Sequence, residues 1–172
     1  MRRLIIGDIH AHYDMLRAVL EKASFDPGKD ILYSVGDILD HGDKPVETLR
    51  FLMSLPSFRP VLGNHDAWFE SFLWNEDKPD PVWIEGNGGD RTSMAVLALP
   101  PEERKRIRNW LASFPLIRVE DDIIIVHGGI PYGYKEKDLL ELCSIPRRVP
   151  FAENSSELLS KGFPSFLWDR DY

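Results

Sequence analysis

The chain of 172 residues has the length of one domain, and its 43% apolar content suffices to bury a hydrophobic core. Its formal net charge of −7 argues against a general affinity for nucleic acid or anionic membranes, and no stretch is apolar enough to span a bilayer. The single Cys143 excludes an intramolecular disulfide framework and fits a reducing compartment, so we expect a cytoplasmic protein. The N-terminal apolar run, Leu4 to Ile6, is too short for a signal segment.

Strand and helix patterns alternate along the first 74 residues. Residues 3–7 predict a short apolar strand, and the spacing of apolar side chains predicts a helix over residues 15–23. The stretches "ILYSVGD" and "FRPVLGNHD" predict two more strands, each followed by a helical segment, over 46–53 and 68–74. Three strand–helix units in succession predict right-handed crossovers and a parallel sheet.

The remainder of the chain has a different pattern. Residues 75–90, rich in Pro, Gly, Asn and Asp, predict an irregular surface loop suited to substrate contacts. Pro101 opens a predicted helix, and "LIRVEDDIIIVHGG" predicts two strands joined by a tight turn. A short amphipathic segment follows at 135–143. Because we find neither a repeat nor a linker, we expect residues 1–172 to form a single domain.

Four predicted strands end in acids, histidines or an amide beside glycine. In an open α/β sheet, ligands bind in the crevice at the carboxyl ends of the strands. Glycine beside such a side chain lets backbone and substrate approach closely. We therefore expect seven side chains to gather at one sheet edge: Asp8, His10, Asp37, Asp40, Asn64, His65 and His127.

The side chains of this predicted cluster are typical of a divalent-metal site. Carboxylates, imidazoles and an amide oxygen suit intermediate metals such as Mn²⁺ or Fe, whereas the absence of thiolates argues against a structural zinc site. One carboxylate bridging two ions roughly 3.5–4 Å apart would hold the attacking and leaving oxygens of a phosphoryl displacement. A lone acid at a strand end is more often a cap, so this interpretation depends on the joint spacing.

Four short motifs, "GDIHAHYD", "GDILDHG", "GNHD" and "VHGG", occur in this order along the chain. Together they resemble the calcineurin-like metallophosphoesterases, especially the small bacterial serine/threonine protein phosphatases. "NGGDRTS" and "LWDRDY" resemble further stretches of that phosphatase group, while "FDPGKD" and "GNHD" are also similar to symmetrical diadenosine tetraphosphate hydrolases. The resemblance implies an α/β fold, a metallophosphoesterase-type sandwich of two sheets flanked by helices.

The resemblance also implies the metal ligands. Asp8, His10 and Asp37 would bind a first ion, and Asp37, Asn64 and His127 a second, with Asp37 bridging the two. The cofactors would be two divalent ions, Mn²⁺ or alternatively Fe or Zn²⁺. A metal-bridging hydroxide, available near neutral pH, would then attack phosphorus.

The remaining site residues follow from the same resemblance. His65 would protonate the leaving oxygen, with its imidazole oriented by Asp40. Arg170 matches a phosphate-binding arginine of the family. His41 stands where the family motif "GDxxDRG" places a second phosphate-binding arginine, and a histidine there would bind phosphate more weakly or in a pH-dependent way. Ala11 stands where the family usually has glycine.

The resemblance covers less than the family's usual length. The family continues past "LWDRDY" with a "GHT" segment whose histidine completes the second metal site, whereas this sequence ends at Tyr172. We therefore expect a fold incomplete at the C-terminus and a weaker second metal site. An uncovered sheet edge would also favour a homo-oligomer.

These observations predict a metal-dependent phosphoester hydrolase, with a serine/threonine protein phosphatase-like phosphomonoesterase as the first interpretation. Its partners would be a phosphorylated protein or a small phosphoester, without nucleic acid or membrane. The alternative within enzymes is a symmetrical dinucleoside tetraphosphate hydrolase. A third hypothesis, a metal-binding interaction protein with impaired catalysis, is motivated by His41 and the missing C-terminal motif.

Overall fold

The computed structural model describes residues 1–76, 78–120, 122–130, 133–144 and 166–167. Arg170 and most of the residues after 144 lie outside this part of the chain. The elements in chain order are β1 (Arg2–Ile6), α1 (Tyr13–Lys22), β2 (Asp30–Ser34), α2 (Pro45–Ser54), β3 (Phe58–Pro60), α3 (Asn64–Trp74), α4 (Pro81–Gly86), α5 (Gly89–Leu97), α6 (Pro101–Leu111), β4 (Ile117–Glu120), β5 (Ile123–Val126) and α7 (Glu136–Ser144).

The first three strands form the predicted parallel sheet, in the order β1-β2-β3. Arg2 lies opposite Asp30 at one end of the β1–β2 pair, and Ile6 lies opposite Ser34 at the other. Since all three strands run in one direction, their carboxyl ends meet at one edge, and the chain leaves each of them there. The sequence prediction of three strand–helix units is confirmed.

The second sheet is the predicted hairpin of β4 and β5. These strands are antiparallel, with Ile117 opposite Val126 and Glu120 opposite Ile123. Alternate side chains of β2 face different layers. Leu32 lies in the main core among the helices, whereas Tyr33 packs with Ile125 of the hairpin and with Val61, the residue after β3. The predicted α/β arrangement of two sheets flanked by helices is therefore confirmed.

The segment 75–90 differs from the irregular loop that its composition predicts. Pro81–Gly86 form α4, which begins with Pro81 in its first turn and with the Asp80 side chain accepting from the Val82 N–H. Trp83 is fully buried, with its ring against Phe69 and Phe72 of α3. Burial of this large side chain stabilises a six-residue helix that is too short to be stable by its own propensity, so the loop prediction was wrong.

The loops that follow β1 and β2 contain backbone in the left-handed region. Outside glycine, φ is positive at His10, Ala11, Asp37, Asp40 and His41, with values between 46° and 73°. Such conformations cost energy for side-chain-bearing residues and concentrate at functional sites. Across the described ranges, no helix is both long and apolar enough to traverse a lipid bilayer.

Candidate active site

The strand ends place the predicted polar residues together. Asp8 and His10 follow β1, Asp37 follows β2, and Asn64 begins α3 directly after β3. His127 follows β5 and reaches the same edge from the second sheet. Contacts between these side chains link loops that are far apart in sequence, both within the parallel sheet and between the two sheets.

The first group of possible metal ligands contains Asp8, His10 and Asp37. One ligand atom from each lies within 4.8 Å of the others. Nε2 of His10 is 3.9 Å from Oδ2 of Asp8 and 3.9 Å from Oδ2 of Asp37. Two carboxylates and one imidazole at this separation form a set of donors for a divalent cation.

The second group contains Asp37, Asn64 and His127. Nε2 of His127 is 2.8 Å from Oδ1 of Asn64 and 3.4 Å from Oδ2 of Asp37. The same Asp37 oxygen that faces His10 therefore also faces His127. This position between the two groups is the one that a bridging carboxylate would occupy.

Both imidazoles are oriented by backbone carbonyls. Nδ1 of His10 donates to the carbonyl oxygen of Leu39 at 2.8 Å, and Nδ1 of His127 donates to that of Val35 at 2.8 Å. Protonation at Nδ1 leaves the lone pair of Nε2 of His10 directed into the cluster, whereas Nε2 of His127 forms a hydrogen bond with Oδ1 of Asn64. Metal-binding histidines commonly have this arrangement, in which the second ring nitrogen donates to a carbonyl or carboxylate.

Asp37 is a buried carboxylate at the centre of the cluster. It is 4% exposed, and its Oδ1 accepts from the backbone N–H of His65 at the start of α3. Burial raises the pKa of Asp37 against the opposing influence of the His127 and His65 charges. A cation beside this carboxylate would offset the cost of burying its charge, so the donors fit a divalent metal.

Asp66 is a structural residue of the site that the sequence interpretation missed. Its buried carboxylate accepts from the backbone N–H groups of Asp37, Ile38 and Gly63, and thereby ties the loop after β2 to the start of α3. Complete burial, followed by the charge of Asp37, raises the pKa of Asp66 to about 7. The sequence did carry a signal, because an acid three residues after an N-cap is typical of a capping box.

The structure also brings His65 and Asp40 together. Nδ1 of His65 donates to Oδ2 of Asp40 at 2.7 Å. Burial opposes the charged imidazole, but the hydrogen bond from His65 to Asp40 and the charges of Asp37 and Asp40 raise the pKa of His65 overall. A raised pKa favours the protonated imidazole, which is the form that a general acid requires.

Two further side chains hold Asp40, and neither was identified from the sequence. Asp40 is fully buried, Nε1 of Trp83 donates to its Oδ2 at 2.7 Å, and Oγ1 of Thr92 donates to its Oδ1 at 2.6 Å. Thr92 lies within the "NGGDRTS" stretch that resembles bacterial phosphatases, which was its only signal. No feature of the sequence indicated that Trp83 would contact Asp40, because the partner of a tryptophan in a predicted loop cannot be inferred from spacing.

His41 lies at the rim of the cluster. Its ring centroid is 4.8 Å from that of His10 and 5.1 Å from that of His65. Burial lowers the pKa of His41, and the neighbouring His10 and His65 lower it further, which disfavours a permanent positive charge for phosphate binding. Phosphate binding by His41 stays a prediction, and the prediction for Arg170 lies outside the described residues.

Comparison with known proteins decides the family. The model of the calcineurin-like phosphoesterase family matches residues 1–170. The chain belongs to the calcineurin-like phosphoesterase family. The resemblance to the calcineurin-like metallophosphoesterases, and with it membership of a family of phosphoester hydrolases, is therefore confirmed. This phosphoesterase family uses divalent metals, and the group of Asp8, His10 and Asp37 could hold one.

Curated relatives of this phosphoesterase chain are symmetrical bis(5'-nucleosyl)-tetraphosphatases. The protein from Shewanella frigidimarina is 32% identical over 93% of this chain and 55% of its own length. The protein from Vibrio parahaemolyticus is 30% identical over 98% of this chain and 60% of its own length. The chain thus spans little more than half the length of these relatives.

Solved structures share the phosphoesterase fold. A metallophosphoesterase from Sphaerobacter thermophilus is 31% identical, with a TM-score of 0.56 over 74% of this chain and 46% of that chain. A cold-active protein-tyrosine phosphatase from a psychrophilic Shewanella has a TM-score of 0.64 over 98% of this chain and 56% of that chain. Because that protein is only 19% identical, the likeness concerns the fold alone.

Proposed function

We propose that this phosphoesterase chain hydrolyses dinucleoside tetraphosphates symmetrically, between the two central phosphates. The first interpretation of the sequence was a protein phosphatase-like phosphomonoesterase, with the tetraphosphatase as its alternative. The curated relatives support the alternative, since the tetraphosphatases from Shewanella and Vibrio match at 30–32% identity along nearly the whole chain. These relatives are the observation on which our choice of substrate depends.

The metal sites of the proposed enzyme use the two groups that share Asp37. Asp8, His10 and Asp37 would hold one ion, and Asp37, Asn64 and His127 the other. The support is the position of Oδ2 of Asp37, 3.9 Å from Nε2 of His10 and 3.4 Å from Nε2 of His127. Bound divalent ions supply Lewis-acid stabilisation of the phosphoryl charge and a nucleophilic water near neutral pH.

His65 is the proposed general acid. Its Nδ1 donates to Asp40, so in the imidazolium form the second proton lies on Nε2 and is available to the leaving oxygen. In the overall reaction, the water oxygen bonds to one central phosphorus and the bond from that phosphorus to the bridging oxygen breaks. The products are two nucleoside diphosphates. His65 stabilises the negative charge that develops on the departing oxygen.

The test compares two substrates with one enzyme preparation. The chain is assayed with Mn²⁺ on diadenosine tetraphosphate and on a phosphoserine peptide, with ADP and inorganic phosphate as the measured products. We expect ADP as the principal nucleotide and a higher kcat/KM for the dinucleotide. Asp37→Asn and His65→Gln should each lower kcat at least about 100-fold. His12→Gln, an exposed histidine on the loop of His10, is the matched control.

The other outcomes identify the competing functions. A higher kcat/KM for the phosphopeptide would contradict the proposal and favour the phosphomonoesterase. Absence of turnover on both substrates, in a chain that still binds Mn²⁺ through Asp37, would favour the metal-binding interaction protein.

A further inference from the structure

Three histidines meet where the loops after β1 and β2 approach the start of α3. His10, His41 and His65 each offer one ring nitrogen, and these three atoms lie within 4.8 Å of one another. The ring centroids are separated by 4.8 Å, 4.9 Å and 5.1 Å. We call His10, His41 and His65 the histidine triangle.

Two of the three rings already have the orientation that metal binding requires. Nδ1 of His10 donates to Leu39, and Nδ1 of His65 donates to the buried Asp40 carboxylate. Their Nε2 atoms are therefore unprotonated when the rings are neutral. The His65–Asp40 pair has the carboxylate–histidine form that raises the basicity of a metal-binding imidazole.

The third ring, that of His41, packs against the backbone at Gly88. At Gly88, which precedes α5, a Cβ atom would lie 2.7 Å from the backbone nitrogen and 3.0 Å from Nδ1 of His41. The backbone of the α4–α5 connection thus packs directly against His41. Because His41 is exposed on its other side, its ring can still adjust toward the other two.

The three imidazoles favour a different ion from the carboxylate-rich group of Asp8, His10 and Asp37. Oxygen-rich donors suit Mg²⁺ and Mn²⁺, whereas three neutral nitrogen donors suit Zn²⁺. Three histidines with one open position form an established tetrahedral zinc geometry, with Zn–N distances of about 2.0–2.1 Å. Zinc binding would draw the three ring nitrogens closer together than the 4.8 Å within which they lie.

We propose that the histidine triangle is an additional metal site that binds Zn²⁺. The site overlaps the proposed phosphoester site, because it uses His10 and His65. Zinc bound there removes the proton-carrying Nε2 of His65 and competes for His10. Zn²⁺ is therefore an inhibitor of the Mn²⁺-loaded enzyme, a consequence that rests on the proposed function.

The direct test follows the histidine rings by NMR. The full chain is kept in excess Mg²⁺, Zn²⁺ is added to one equivalent, and two-bond ¹H–¹⁵N correlations of the five imidazoles are recorded. We expect the ring nitrogens of His10, His41 and His65 to shift, with His12 unchanged. A shift of His127 with an unchanged His41 would place zinc in the other group and overturn the proposal.

Calorimetric titration with Zn²⁺ gives the second measurement. His41→Asn is the informative variant, because asparagine tolerates the positive φ at this position but removes the imidazole. Zn²⁺ affinity should fall at least about tenfold in His41→Asn and should be unchanged in His12→Gln. Equal Zn²⁺ affinity in the wild-type protein and His41→Asn would refute the site.

Inhibition supplies the link to function. In the Mn²⁺-activated assay, the Zn²⁺ concentration giving half-inhibition should rise about tenfold in His41→Asn, measured relative to that variant's own zinc-free rate. Failure of the proposed function would leave the chain inactive but the NMR and calorimetric results intact. Failure of the zinc site would leave dinucleotide hydrolysis intact and remove the effect of His41→Asn on zinc affinity.

Discussion

Asp40 is the residue whose surroundings most constrain the site. Its backbone adopts a positive φ of 73°, and its side chain is fully buried. The buried carboxylate accepts side-chain hydrogen bonds from His65, Trp83 and Thr92. Each donor offsets part of the cost of burying a charge. The orientation of His65 therefore depends on side chains from α4 and α5 that do not reach the metal ligands.

Replacement of Thr92 by valine tests whether the orientation of His65 depends on the hydroxyl group that donates to Asp40. Thr92→Val keeps the side-chain shape but leaves Oδ1 of Asp40 without its donor. We expect a loss of about 1.5–3 kcal/mol in the free energy of unfolding, measured by urea denaturation. If Asp40 positions His65, kcat falls while KM changes little.

Ser93→Ala is the matched control for this prediction. Ser93 is the next residue of α5, and its hydroxyl donates to the carbonyl of Asp90 rather than to Asp40. Its loss should cost no more than about 1 kcal/mol and should leave kcat unchanged. Equal effects of the two substitutions would argue against a special role for Thr92.

At the scale of elements, the α4–α5 pair forms one wall of the site. α4 supplies Trp83 to Asp40, α5 supplies Thr92, and Gly88 between them contacts His41. Both helices pack against the rest of the core. Trp83 of α4 packs on α3, and α5 contacts both α2 and α3. Part of the segment that the sequence assigned to a substrate-binding loop therefore forms helical support for the site.

Gly88→Ala tests the packing of this wall. Gly88 has φ of +75°, and its added methyl group would meet His41. We expect unfolding to become easier by about 1–2 kcal/mol from the left-handed backbone alone, with a further loss from the contact. Gly133→Ala, at φ of +94° with no atom near the new methyl group, isolates the backbone cost. Equal losses in both variants would show that contact with His41 is unimportant.

At the scale of the whole molecule, the site couples distant parts of the chain. Asp8, Asp37, Asn64 and His127 come from four strand ends and two sheets. A ligand that binds them together stabilises the folded state only, since the unfolded chain does not hold these groups in place. β1 is an edge strand within the described residues, and self-association through that edge stays a prediction.

Metal binding should therefore raise the thermal stability of the protein. At a Mn²⁺ concentration 100-fold above Kd, the free energy of unfolding increases by about 2.7 kcal/mol. For a chain of this size, the corresponding increase in Tm is about 5–10 °C. Differential scanning fluorimetry with Mn²⁺ and then with excess EDTA measures the gain and its reversal.

Asp37→Asn provides the internal comparison for the thermal experiment. The variant keeps the shape of the central side chain but removes the charge that faces both His10 and His127. Its Tm should respond little to Mn²⁺. A full Mn²⁺ response in Asp37→Asn would mean that the metal binds elsewhere on the chain.

The sequence predicted the elements whose burial follows a regular period. Apolar spacing located α1, α2 and α6, and the succession of strand and helix predicted the parallel pairing of β1, β2 and β3. Apolar spacing did not predict α4, because a helix of six residues is too short to show a repeating pattern of apolar side chains. That helix is stabilised by the burial of Trp83 on α3 rather than by its own composition.

What the sequence determined by itself was the convergence of Asp8, His10, Asp37, Asn64 and His127. Asp8, His10, Asp37 and Asn64 follow parallel strands and therefore meet at one sheet edge. His127 follows a strand of the antiparallel hairpin, and the motif resemblance predicted that it joins them. Only the tertiary structure decided which side chains support Asp40 and His65. The hydrogen bonds of Asp40 with Trp83 and Thr92, and the meeting of three histidine rings, depend on side-chain positions that no sequence spacing specifies.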